Sequence, residues 1–353
     1  MELPYLTHEL PGTGGQLRSH DDDFLVDEEP AYLPSGTGDH VYARIEKRGI
    51  TTRFAVAAIA QALGVYERDI GVAGMKDRHA VTKQWISLPP PTTVEAVQAL
   101  ALPDVTILEV SRHGNKLRTG HVRSNAFVLR VRGAAPDAVQ RAQVILARLL
   151  EAPGAPNFYG EQRFGRDRDN ADKGRALLAG DRGVARDKKL ARLFVSALQS
   201  ELFNAWLTAR MADGLYREVL QGDVLHKVNG GMFTSEDPVI DTSRLRAGEL
   251  VLTGPMFGDR MRKPPDGTPA DEREAKILAA AGLAPDAFST VRHLAEGTRR
   301  DATIHVANGT VNSVADGTFE VAFALPGGAY ATTVMREVMK TLPARVDDAP
   351  DPA

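Results

Sequence analysis

The sequence contains no cysteine. That absence excludes disulfides, cysteine-ligated zinc, iron–sulfur clusters and thiol nucleophiles together, and it fits a reducing compartment. Long apolar runs are missing too. No segment approaches the length of a membrane span, and residues 1–19 carry no apolar core of a signal peptide. The expectation is a cytoplasmic chain with no membrane attachment. Several catalytic signatures are also lacking: HExxH, the phosphate-binding GxxxxGK[ST] and the GxSxG elbow do not occur. "GTGG" and "SGTG" fall short of GxGxxG and read as turns. The acidic run "HDDDF" at 20–24 reads as a solvated edge, because adjacent aspartates on a strand point to opposite faces and cannot share one ion.

What is present suits a globular protein of two domains. The chain has 353 residues, 43% hydrophobic and 25% charged. Its net charge of −3 argues against a protein that coats DNA. The distribution argues for local anion contact. "RHGNKLRTGHVR", from Arg112 to Arg123, holds four Lys/Arg, two His and no acid. "EQRFGRDR" sets further cations beside an aromatic. Such stripes suit either an enzyme that grips a polyanion briefly or plain solvated surface.

The first part of the chain alternates strands and helices. "FLVDEE", "HVYARIEKRG", "DIGVAG", "TKQWISLP", "VTILEVSRH" and "NAFVLRVRG" read as strands. "TTRFAVAAIAQALG" reads as a helix capped by Thr51 or Thr52 and stopped by Gly64. "TTVEAVQAL" is another, and "PDAVQRAQVILARLL" is expected to open at Pro136. The texture changes at "EAPGAPNFYG". The next block is mainly helical, with its longest pattern in "KKLARLFVSALQSELFNAWLTARMA", a hairpin at "GDVLHKVNGGMF" and a helix at "DEREAKILAAAG". Strands return near residue 303, with turn signals at Asn308-Gly309 and Asp316-Gly317. The helix "AYATTVMREVMKTL" precedes an acidic tail, "VDDAPDPA", that reads as disordered. The fold class expected is α+β, with a mainly helical block of about 155–302 interrupting a domain made of both ends.

Chemistry concentrates in "GVAGMKDRHAVTKQW", residues 71–85, a charged loop between two strand patterns. An ionised, partly dehydrated Asp77 could act as a nucleophile, with cations holding it charged. Lys76 and Arg78 are adjacent in sequence, and a cation from elsewhere, such as Arg18, could supply the pairing. A solvated charged loop would look the same. "PNFYGEQRFGR" at 156–166 reads either as a packed junction or as a stacking platform beside a nucleic-acid backbone. In "SNAFVLRV", Asn125 can read a base edge or a ribose, while Phe127, on the same strand face, reads first as core.

These motifs together resemble the TruD family of tRNA pseudouridine synthases. Gly74, Lys76, Asp77, Arg78, Ala80, Thr82 and Gln84 fit its pattern G-x-K-D-[KR]-x-A-x-T-x-Q. "PNFYGEQRFG" is similar to its second motif N-Y-F-G-x-Q-R-F-G, with Phe158 and Tyr159 exchanging the two aromatics. "SNAFVLRV" is similar to its G-N-x-F strand, with Ser124 in place of the glycine. "ALQSELFNAWL" and "LPGGAYATTVMREV" also fit, so the likeness spans nearly the whole chain.

The resemblance implies a pseudouridine synthase catalytic domain with a mixed or antiparallel sheet, residues 1–154 plus 303–353. A mainly helical α+β TRUD insertion domain, residues 155–302, would interrupt it. It implies isomerisation of a tRNA uridine, expected at position 13, with no cofactor or metal. Asp77 would be the catalytic carboxylate, and Phe24, Asn125, Phe127 and Tyr330 would contact the target nucleotide. Tyr330 stands where the family usually has Phe. Arg18 falls at the family's basic partner of the carboxylate, usually Lys, with Lys76 and Arg78 as supporting groups. The partner implied is tRNA, with no protein partner and a monomeric state. The contrasting reading is a non-catalytic tRNA-binding or folding protein with a relic site. A nucleoside hydrolase using Asp77 is disfavoured, because the aspartate clusters do not form a metal-binding arrangement.

Overall fold

A computed structural model describes residues 3–341; the acidic tail lies outside them. The chain divides into two compact units. One comprises residues 9–150 and the chain from 306 onward, and the other comprises residues 3–8 and 151–305. No helix among the described residues is long and apolar enough to cross a membrane.

The first unit is built on one mixed sheet. Its strands, in chain order, are β1 (Gln16–Leu17), β2 (Phe24–Pro30), β3 (His40–Arg48), β4 (Gly71–Val72), β5 (Val81–Leu88), β6 (Val105–His113) and β7 (Val122–Arg132). Its helices here are α1 (Thr52–Leu63), α2 (Val94–Gln98) and α3 (Ala138–Leu150). The last part of the chain adds β14 (Ala307–Ala315), β15 (Thr318–Pro326) and α8 (Ala331–Met339). The strand order is β14-β15-β7-β2-β5-β3-β6, with β1 on β7 and β4 on β5. β2 and β5 run parallel, and the other pairs are antiparallel.

Helix α1 is bounded and placed by its own sequence. Thr51 accepts a hydrogen bond from the Phe54 amide at 3.1 Å, and Gly64 closes the helix at φ 66°. The inward stripe Ala55, Val56, Ile59 and Ala60 packs on Val41, Ala43 and Ile45 of β3 and on Ile86 and Leu88 of β5. A fully buried side chain such as Ile59 contributes roughly 2 kcal/mol.

Three sequence expectations are corrected. α3 opens at Ala138 rather than at Pro136. Asn308-Gly309 is not a turn: β14 runs through it with a register shift, Asn308 taking φ 55°. Residues 21–23 form a 3-10 turn rather than a solvated strand edge. There Asp23 is fully buried and Arg132 donates to it at 2.7 and 3.0 Å. Burial pushes the Asp23 carboxyl up, but the Arg132 hydrogen bond and the His20 amide pull it further down, below its usual range.

The second unit holds β8 (Ala155–Pro156), β9 (Val224–Lys227), β10 (Met232–Thr234), β11 (Leu250–Met256), β12 (Thr298–Asp301) and β13 (Thr303–Ile304). Its helices are α4 (Asn170–Leu178), α5 (Lys188–Ala212), α6 (Pro238–Arg246) and α7 (Pro269–Ala280). A four-stranded sheet, β10-β9-β11-β12, packs against the 25-residue helix α5, whose Phe203, Trp206 and Leu207 share a core with Leu225, Leu250 and Leu252.

Candidate active site

The pairing register sets the chemistry on one face of the first sheet. Phe323, Phe127, Val26, Thr82 and Lys47 stand opposite one another across five strands. Two residues further along, Asn125 stands between Leu325 and Glu28, and Gln84 opposite Ile45. Side chains two apart share a face. The strand pattern therefore delivers Asn125 with Phe127, Thr82 with Gln84, and Phe24 with Val26 and Glu28 to a single buried surface.

The loop 73–80 crosses one end of that surface and is held at four points. Thr52 accepts from the Lys76 amide at 2.9 Å and donates to Gln84 Oε1 at 2.9 Å. Gln84 Nε2 donates to the Gly74 carbonyl at 3.3 Å. The fully buried Lys47 ammonium donates to the carbonyls of Asp77 and Ile50, both at 2.7 Å. Burial pushes the Lys47 amine down to about 8, and the nearby Asp77 carboxylate restrains that fall. Lys76 turns its ammonium inward to the buried Glu28 carboxylate. Burial pushes the Glu28 carboxyl up against the pull of Lys76.

What this scaffolding presents is Asp77, whose side chain is 61% exposed. Arg18, from the loop after β1, donates from Nη2 to Asp77 Oδ2 at 2.5 Å. Its guanidinium lies 3.9 Å from the centre of the Phe24 ring. Phe24 meets Phe127 edge-on at 6.2 Å, and Phe127 packs against Phe323 at 5.6 Å. The result is a carboxylate and a guanidinium over an aromatic floor. Such a set can direct a charged oxygen at a bound group while an arginine offers hydrogen bonds to developing negative charge.

The expected site residues separate into groups. Arg18, Asp77, Phe24 and Phe127 form one connected cluster. Asn125 is buried beside it, and its Oδ1 has no hydrogen-bond donor among the described residues. Tyr330, 64% exposed, caps α8. It lies three residues past Gly327, where a Cβ would stand 3.1 Å from the Val122 carbonyl oxygen. Lys76 and Arg78 do not pair with the Asp77 side chain: Lys76 is spent on Glu28, and Arg78 Nε donates to the Gly49 carbonyl at 3.3 Å. Sequence reasoning missed Lys47 and Glu28. The signal was their phase, since Lys47 follows Val41, Ala43 and Ile45, and Glu28 follows Phe24 and Val26, at inward positions of their strands.

The other motifs are largely engaged within the protein. Phe158 is 5% exposed in the core with Phe203 and Trp206. The Tyr159 backbone is bracketed by Asn204 at 2.9 and 3.0 Å. In the stripe 112–123, Arg112 donates to the Gly38 carbonyl and Lys116 to the Arg68 carbonyl, while Arg123 pairs with Glu29 at 3.1 Å. His113 stacks on Tyr32, whose hydroxyl meets His121 Nδ1 at 2.8 Å. Among the described residues no cluster of three or more His, Asp or Glu could hold a metal ion.

The family model described as tRNA pseudouridine synthase D (TruD) matches residues 1–188 and 184–338. A protein named tRNA pseudouridine synthase D from Anaeromyxobacter dehalogenans (strain 2CP-C) is 51% identical over 345 residues, 96% of this chain and 97% of the relative. One of the same name from Thermus thermophilus is 40% identical over 338 residues, 96% of this chain and 92% of the relative. A crystal structure from Methanosarcina mazei that carries the tRNA pseudouridine synthase D (TruD) assignment superposes with a TM-score of 0.80. It is 23% identical and covers 97% of this chain and 99% of that one. That likeness shows the fold: a mixed sheet with eight α-helices among the described residues, in an α+β arrangement.

Proposed function

This chain belongs to the tRNA pseudouridine synthase D family, and we propose that it isomerises one uridine of tRNA, at position 13, to pseudouridine with Asp77 as the catalytic carboxylate. The observation that carries the reading is the family-signature loop held by Thr52, Gln84 and Lys47, with Asp77 against Arg18 over the Phe24 ring. The unit of residues 9–150 and 306 onward is read as the catalytic domain, and the other unit as the TRUD insertion.

The target uridine leaves the helical stack to reach the site. Phe24 and Phe127 form the floor, and Tyr330 supplies an exposed ring for stacking. Asn125 Oδ1, buried without a donor among the described residues, accepts from the uracil N3–H or a ribose hydroxyl. Asp77 serves one of two routes. It attacks C1′ while the C1′–N1 bond breaks, or it takes the C2′ proton as uracil leaves and later returns it. In both, the electron pair of the broken bond stays on uracil, where Arg18 stabilises it. The ring turns and C5 bonds to C1′, as the Asp77–C1′ bond breaks on the first route or as C2′ regains its proton from Asp77 on the second; the C5 proton then departs and N1 gains one. Atoms balance with no oxidant, metal or cofactor. The enzyme is read as a cytoplasmic monomer acting on tRNA without a protein partner.

The test uses unmodified tRNA transcript tritiated at uracil C5, because bond formation there expels the label. Wild type is expected to release tritium, and Asp77→Asn to bind tRNA and fold as wild type while releasing none. No release by wild type that still binds tRNA would overturn the catalytic reading in favour of a relic RNA-binding protein.

A further inference from the structure

Of the cations that sequence pattern first offered for RNA contact, Arg118 is exposed and unpaired among the described residues while most others are tied down, and a denser group of free cations lies elsewhere. Arg168 pairs with Glu161 at 2.8 Å, and Arg163 is held by Ser196 and Ser200. By contrast, Arg182, Arg186, Lys188, Lys189 and Arg192 are all exposed. Among the described residues none of these five has an ion pair or a side-chain hydrogen bond. This is not for want of acids nearby. Asp181 and Asp187 lie in the same stretch, but each spends its carboxylate on a backbone amide: Gly183 at 2.9 Å and Leu190 at 2.9 Å. Elsewhere on the same unit, cations that approach α5 are matched. Arg175 pairs with Glu201, and Arg210 with Asp223. A like-charge cluster without partners repels itself and favours a bound anion.

The cluster borders an open groove of about 760 Å³. Lys189, Arg192 and Leu193 from α5 line it, with Arg163, Tyr159 and Met256. Leu193 is 42% exposed, and the Tyr159 ring carries the Arg300 guanidinium 4.0 Å from its centre. Cations along a channel with an apolar side chain and a ring suit a sugar–phosphate strand better than a small anion.

We propose that the segment Arg182–Arg192 and the groove beside it bind the sugar–phosphate backbone of the tRNA substrate. This rests on the tRNA-modifying reading given above and assigns that reading a gripping surface in the inserted unit. The contacts are to phosphate, so they hold the RNA without reading its sequence.

The test replaces the five residues together with Gln in the full-length protein and measures tRNA affinity across salt, along with KM and kcat for tritium release. Removing one cation–phosphate pair lowers the slope of log K against log salt by about 0.9. With three of the five in direct phosphate contact the expected result is a slope smaller by about 3, and with all five by about 4.5, with KM raised at least ~10-fold and the loss falling in KM rather than kcat. A second variant, with Arg182, Arg186 and Arg192 changed to Lys, keeps the charge and is expected to keep the slope. Wild-type slope and KM in the Gln variant would overturn the proposal while leaving the isomerase reading intact. Equal losses in the Gln and Lys variants would overturn it in favour of a structural role. Wild type that neither binds tRNA nor releases tritium would overturn both readings.

Discussion

Replacing Lys47 with Met separates the electrostatics of the loop from its packing. The Lys47 ammonium is fully buried and holds two carbonyls, those of Asp77 and Ile50. Burial pushes its amine down to about 8. Below that pH both the folded and the unfolded chain carry the proton, and the folded state bears the whole cost of a buried charge. Between about 8 and the usual lysine value near 10.5 only the unfolded chain holds it, so stability rises with pH across that window. The rise amounts to about 3 kcal/mol. The neutral amine still has two N–H donors, so both carbonyls stay held. Met removes the charge and strands the carbonyls, each at a cost of ~1–3 kcal/mol. Near pH 7 relief of the buried charge offsets that loss, and Lys47→Met is expected to lie within ~2 kcal/mol of wild type. At about pH 10 the stranded carbonyls act alone, and the variant is expected to be less stable by ~3 kcal/mol or more. Urea unfolding of both proteins at both pH values reads the double difference, in which groups common to both cancel. Turnover near pH 7 should fall roughly 10–100-fold, because the Asp77 peptide loses its anchor. An equal stability gap at the two pH values would refute the reasoning.

Two further predictions concern the buried carboxylates. Glu28→Gln leaves the Lys76 ammonium buried without its anion and should cost roughly 3 kcal/mol by denaturant unfolding; a loss below about 0.5 kcal/mol would mean the pair is solvated. Asp23 has a depressed pKa, so its contribution is complete above its unfolded value of 3.8 and is lost as pH falls through its lower folded value. Asp23→Asn should therefore destabilise by roughly 2 kcal/mol at neutral pH and flatten the acid limb below about pH 4. Parallel acid limbs in the two proteins would contradict the Arg132–Asp23 account.

Sequence adjacency carried the chemistry of the loop but not its partners. Lys76 and Arg78 flank Asp77, yet neighbours in an extended loop diverge, and each found a partner on the scaffold instead. The residue that meets Asp77 is Arg18, 59 positions earlier. Pairing across that distance is a product of sheet register. Locally punctuated elements were legible: α1 with its Thr cap and Gly stop, and α5 over its full length. β11 was not, because Gly254 and Pro255 sit inside it and weaken any strand signal. The fold requires that glycine, since a Cβ there would stand 2.6–2.7 Å from the rings of Trp206 and Phe203.

The same contrast explains why aromatic motifs were harder to read than charged ones. "NFYG" offers Phe158 and Tyr159 as equal stacking candidates, and nothing in the string distinguishes them. The structure does so by burial. Phe158 enters the core with Phe203 and Trp206, whereas Tyr159 remains at the groove with an arginine on its ring. An aromatic gains from burial wherever it is buried, so its type alone does not locate it. An unpaired charge behaves otherwise. It avoids the interior unless matched, so a buried one such as Lys47 or Glu28 marks a position where the scaffold is committed to holding a particular piece of backbone or a particular partner. In this chain those two committed charges converge on the loop that carries Asp77, one through its carbonyl and one through its neighbour Lys76. The loop is thereby fixed from beneath while its carboxylate stays open to solvent, an arrangement that suits the catalytic role proposed for Asp77.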